Sequence, residues 1–162
     1  MKKSLTIFLQ VIIVIFGLGL ITLMLWEPWL EGVNAHATTL SDIYFDDPFL
    51  AYAYLGSVPF FVALYKAFKL LGYARENKIF SQAGVKALRA IKYSVLITAG
   101  AIVGADAYLM IASRSNNEDA AGAVMLGMIS TFICIVIATA AAVLQRTLQS
   151  AVDIKSENDL TV

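Results

Sequence analysis

Cysteine, histidine and proline are scarce in this chain: one cysteine (Cys134), one histidine (His36) and three prolines among 162 residues. A lone thiol excludes an internal disulfide and any cysteine-based metal cluster. Cys134 stands in an apolar run, where a small buried thiol is the plain reading. Charge is thin as well, at 15% of residues, against about a quarter in an ordinary soluble domain. Twelve Lys and Arg offset twelve Asp and Glu, so no net field draws nucleic acid or acidic substrates. No nucleophile–base pair, phosphate-binding glycine loop, dinucleotide fingerprint or His-Glu-x-x-His occurs. These absences argue against an enzyme and against a cofactor.

What the chain has in abundance is apolar sequence, 59% of its residues, with a mean hydropathy of +0.75. It comes in runs of the length, about 20 residues, that a bilayer core demands of a helix. Four spans follow, at about 5–26, 48–71, 91–112 and 120–144. An Ala-x-Ala at 35–37 has the form of a signal-peptide cleavage site, but the preceding run exceeds the roughly 7–15 residues of a signal core and ends well before it. The first span is therefore expected to stay as a transmembrane helix, with Trp26 and Trp29 at its interface. Asp47 and Pro48 form an N-cap and first helical position for the second span. Pro59 within that span removes a backbone donor and predicts a kink. A turn is expected at Gly72, and Ser81 is expected to cap the third helix, with Phe80 and Val85 as a hydrophobic staple. Gly100 and Gly104 form a G-x-x-x-G in the third span, and Gly127 belongs to a small-residue stripe in the fourth; both patterns suit close helix packing.

The basic residues divide sharply. Seven lie at 66–93, around a hinge at 72–90 that joins the second and third spans, with Glu76 the one acid among them. Placing the amino terminus, this hinge and the tail at 145–162 on one side gathers Lys2, Lys3, those seven, Arg146 and Lys155, and leaves only Arg114 opposite. Short loops rich in Lys and Arg stay cytoplasmic. The fold class is all-α: one membrane domain, an antiparallel four-transmembrane-helix bundle with both termini cytoplasmic, an outer loop at 27–47, and the bacterial inner membrane as its location.

Three stretches, PFFVALYKAFKLL, ARENKIFSQAGVKALRAIKY and the closing SENDLTV, resemble the YoaS-like family of small bacterial four-span membrane proteins, a domain of unknown function. The likeness runs from about residue 49 onward, with the first span similar in general character. It implies a polytopic membrane protein without assigned chemistry and supplies no site residue. Genes of such proteins often neighbour a small helix-turn-helix regulator, which makes a cytoplasmic regulatory partner conceivable but by itself carries no contact.

Four features compete with plainer explanations. Asp106 is the one ionisable residue well inside a span, which by default suggests a functional site; it is also only about 7 Å from the midpoint of its span along the axis, where water or a hydroxyl could satisfy it. Lys86, Arg89 and Lys92 could contact anionic lipid or a cytoplasmic protein, or could serve topology alone; nucleic acid is not expected there. Glu31, His36, Asp42, Asp46 and Asp47 could meet a divalent cation, but lack any ligand spacing and read as solvated acids, so no metal is expected. The terminal Leu160-Thr161-Val162 could be captured as a free carboxylate, or be an unstructured end. The function expected is a multi-pass membrane interaction or regulatory protein whose partners are the bilayer, a cytoplasmic or membrane protein, and a second copy. The alternative is a small transporter or channel component using Asp106.

Overall fold

The computed structural model describes residues 3–31, 38–45, 47–116 and 119–159. Five α-helices account for nearly all of them: α1 Lys3–Glu31, α2 Leu40–Phe45, α3 Pro48–Arg75, α4 Gln82–Asn116 and α5 Ala121–Asp159. There is no strand among the described residues. His36, Asp46, the Ala-x-Ala at 35–37 and the terminal 160–162 lie outside them.

Four of the helices, over Lys3–Trp29, Pro48–Arg75, Gln82–Arg114 and Ala121–Glu157, are long and apolar enough to cross a membrane. Their outward faces carry large apolar side chains in the open, such as Ile15, Leu55, Ile111 and Phe132. In water such a surface would aggregate; in hydrocarbon it matches its solvent.

Each long helix packs chiefly on the next, α1 on α3, α3 on α4 and α4 on α5, the last pair most extensively. Between α1 and α3, Gln10 Nε2 donates to Phe68 O at 3.1 Å and Tyr54 Oη donates to Met24 O at 2.7 Å. Between α3 and α4, Phe49 stacks on Tyr108 with ring centroids 5.5 Å apart, and Tyr52 Oη donates to Ala101 O at 2.8 Å. Two small apolar cores result. One joins Ala63, Ile91, Val95, Ala138 and Ala141; the other joins Val85, Leu88 and Leu148. Alanine dominates the first because, in lipid, helices associate by close backbone approach and not by expelling water.

Local chemistry explains the helix ends. Asp47 Oδ1 accepts from Phe49 N–H at 2.8 Å, and Pro48 takes the first helical position, where a missing N–H costs nothing. The helix then runs unbroken past Pro59. The turn expected at Gly72 is not there. Gly72 is helical, and α3 ends instead in a Schellman closure: Lys78 N–H donates to Tyr73 O at 2.8 Å and Asn77 N–H to Ala74 O at 3.3 Å. Asn77 takes the left-handed conformation, φ 58°, that this closure requires and that Asn tolerates better than most residues. Ser81 precedes α4, its Oγ accepting from Gly84 N–H at 3.4 Å. The staple differs from expectation: Phe80 is largely exposed, and Val85 is packed by Leu88, Leu148 and their neighbours.

The first helix does not stop at Trp26, the expected end of the span, but continues through Pro28 to Glu31. Proline at 28 cannot donate to Met24 O four residues back, which leaves a carbonyl that hydrocarbon cannot satisfy. The Tyr54 hydroxyl supplies that missing donor. Tyr54 is itself held by Tyr44 and Phe45 of α2, at ring-centroid distances of 5.9 and 6.2 Å. The short helix α2 is started by a capping box in which Thr39 Oγ1 accepts from Asp42 N–H and Asp42 Oδ2 accepts from Thr39 N–H, each at 3.3 Å.

Candidate functional site: an intramembrane carboxylate, an apolar cleft and a basic turn

Asp106 lies on α4, half-buried, with its carboxylate against the backbone of α5 at Gly127. The space that a Cβ at position 127 would need is filled by that carboxylate. Gly127 thus admits a polar side chain to the α4–α5 seam. Gly104, one turn before Tyr108 on α4, plays a comparable part toward α3: the Tyr52 hydroxyl occupies the place of a Cβ there on its way to Ala101 O. Gly100 has open space around it, with nothing within 4 Å of where its Cβ would stand. The three glycines singled out for packing therefore stand in three different surroundings. Pro59 lies in α3 beside Phe60 and Phe61, two of the aromatic residues lining the cleft described next.

Flanked by α1 and α5 and floored by α3 and α4 is a cleft of about 570 Å³. Its lining is almost wholly apolar and includes Phe16, Phe60 and Phe61, with Tyr52 and Ser130 at one end. Phe16 meets Phe60 edge-on at 6.3 Å between centroids, so the aromatic wall is continuous from α1 to α3. Cys134, half-buried, belongs to the same lining and to the rim of the larger core. Among the described residues no group of three His, Cys, Asp or Glu is placed to hold a metal ion; Glu31, His36 and Asp46, three of the five outer-loop residues considered above, have no described side chain.

The basic cluster gathers around the α3–α4 turn. Glu76 is engaged by Lys78, Nζ to Oε2 at 3.0 Å. Lys86 and Arg89 project from the first turns of α4 as exposed side chains, and Lys92, half-buried, lies over the Tyr93 ring at 4.4 Å from its centroid. On α3, Lys69 and Lys66 lie over the Tyr65 ring at 4.9 and 5.8 Å. Lysine stems of this kind lie along apolar surface and carry their charge to its polar edge. The structure does not bring these cations and Asp106 together: Lys86, Arg89 and Lys92 lie in the first part of α4 and Asp106 in its second half, while Lys66 and Lys69 belong to α3.

Several residues with a visible part in this arrangement carried only weak sequence signals. Gln10 is a polar residue within the first apolar run, and its amide is buried against α3. The Thr39-x-x-Asp42 pattern announces α2. The cleft has no linear signature, because its walls come from all four long helices.

Four helices long and apolar enough to cross a membrane, packed one on the next, define a small multi-pass helical membrane protein. The family profile described as "Protein of unknown function (DUF2975)" matches residues 29–162, and the chain belongs to that family. It is also 39% identical over 165 residues, covering 100% of both chains, to "Uncharacterized membrane protein YoaS" of Bacillus subtilis (strain 168). No solved structure matches it.

Proposed function

We propose that the chain is a non-catalytic interaction or regulatory protein of the bacterial inner membrane, an antiparallel bundle with both termini cytoplasmic, which docks a cytoplasmic partner through the basic α3–α4 turn. The observation carrying this reading is the unneutralised charge at that turn. Of its seven cations, only Lys78 has an acidic partner among the described residues. Lys86 and Arg89 point outward from a helix start whose buried face is fixed by Val85 and Leu88. A rigid apolar base under exposed cations is a surface for an acidic counterpart. The antiparallel arrangement is supported by the pairing of Gln10 with Phe68 but Met24 with Tyr54, and of Gly84 with Leu148 but Gly127 with Asp106. The charge asymmetry of the sequence supports the orientation.

The test is capture from membranes in mild detergent, with the combined variant Lys86→Gln, Arg89→Gln, Lys92→Gln beside wild type. Wild type is expected to recover one partner in fixed ratio, and the triple variant to lose it. Single-cysteine labelling at positions 77 and 157, in a Cys134→Ala background, should report both sites as cytoplasmic in each protein. Recovery that is unchanged in the triple variant, with labelling intact, refutes the docking role.

A further inference from the structure

The cleft and Asp106 are neighbours. Ala105, beside Asp106 in sequence, and Ile102, one turn before it, both line the cleft. On α5 the residue touching Asp106 is Gly127, one turn from the lining residue Ser130. At ~1.5 Å per residue Asp106 stands one residue of rise beyond the lining residue Ala105, and Gly127 about 5 Å along α5 from Ser130, so the carboxylate lies in the α4–α5 seam bordering the Tyr52–Ser130 end of the cleft. The cleft itself runs from Phe16 to Met24 on α1, and from Tyr52 to Phe61 on α3, roughly 12–14 Å by the same rise. Its volume lies within the roughly 300–1,000 Å³ of small-molecule sites.

We propose that this cleft binds a hydrophobic organic cation, with its apolar body against the lining at Tyr52, Ile102, Ala105 and Ser130 and its charge at the Asp106 carboxylate. Charge complementarity selects this occupant. Asp106 makes no ion pair with a described residue, and a carboxylate inside a span is costly until something neutralises it. A lipid tail or the apolar face of a second copy would fill the cleft and leave that charge uncompensated; a hydrophobic cation satisfies both at once. Gly127 keeps the seam open for the carboxylate, and nothing in the scheme depends on the basic turn or its partner.

Two ions of the same shape and opposite charge test this: tetraphenylphosphonium and tetraphenylborate, added to the full chain in nanodiscs of zwitterionic lipid. Equilibrium dialysis against protein-free discs separates protein binding from partition into lipid. The phosphonium is expected to bind saturably at one per chain and at least tenfold more tightly than the borate. Asp106→Asn should erase that preference and Asp106→Glu retain it. Ser130→Trp, at an exposed lining position, should block the site while leaving the α4–α5 core in place. Equal affinity for the two ions in wild type overturns the proposal, as does phosphonium binding by Asp106→Asn at wild-type strength. If Asp106→Asn does not purify as a monodisperse protein, the ratio of the two ions in wild type decides alone. A protein that fails here and still captures a partner through the basic turn keeps its proposed docking role without this site.

Discussion

Replacing Gly127 with alanine puts a methyl group where the Asp106 carboxylate sits. Two opposed terms follow. Alanine is favoured over glycine inside a helix by about 1 kcal/mol, whereas forcing an extra carbon into an occupied seam costs about 1–3 kcal/mol. The aspartate side chain is short and has little reach, so it yields only by leaving the seam. Gly127→Ala alone should therefore destabilise the protein, by up to about 2 kcal/mol net. In an Asp106→Ala background the obstruction is gone, and the same substitution should be neutral or stabilising by up to about 1 kcal/mol. The coupling between the two sites is then about 1–3 kcal/mol, well above the roughly 0.3–0.5 kcal/mol scatter of independent positions. The assay is a double-mutant cycle read by reversible unfolding in mixed micelles, with helicity followed by circular dichroism. If Gly127→Ala has the same effect in both backgrounds, the carboxylate does not occupy the space beside residue 127, and the account of the α4–α5 seam is wrong.

Two further expectations use the same unfolding assay. Tyr54→Phe should cost about 1 kcal/mol, the net worth of a typical buried hydrogen bond, and most of that loss should vanish in a Pro28→Ala background, where residue 28 regains the N–H that bonds Met24 O; an undiminished loss would show that the hydroxyl does not serve that carbonyl. Leu148→Ala, at a residue 7% exposed and packed on Val85 and Leu88, should cost about 2–5 kcal/mol, while Leu144→Ala, at a residue 57% exposed one turn earlier, should change stability little; equal effects would contradict the packing of α5 on α4.

The helices were legible in the sequence because bilayer thickness imposes a length and hydropathy that few other constraints imitate. Asp47-Pro48 and Ser81 announced helix starts because capping is decided by neighbours in the chain. The failures have equally local causes. Gly72 looked like a turn because glycine favours one in isolation, yet its helix continues and is closed by Asn77, a residue able to take positive φ. Pro28 falls in the loop expected at 27–47, outside any helix. It sits inside one here because Tyr54, 26 positions away in the chain, repairs the broken bond. A long-range repair leaves no mark in the first helix's own sequence.

The small-residue pattern makes the same point about function. Gly100, Gly104 and Gly127 read alike in the sequence, as places where two helix backbones could meet. In the structure, Gly100 faces open space, Gly104 receives a tyrosine hydroxyl bound for a backbone carbonyl, and Gly127 receives a carboxylate. Glycine in a membrane helix removes a side chain, and what fills the gap is set by the neighbouring helix. At 104 and 127 the filler is polar, because a hydroxyl or carboxylate in hydrocarbon gains more from reaching backbone or a neighbouring helix than a methyl group does. The functional information therefore lies less in the glycines than in the polar groups opposite them. Of these, Tyr52 finds its carbonyl partner within the chain, whereas Asp106 has no ion pair among the described residues.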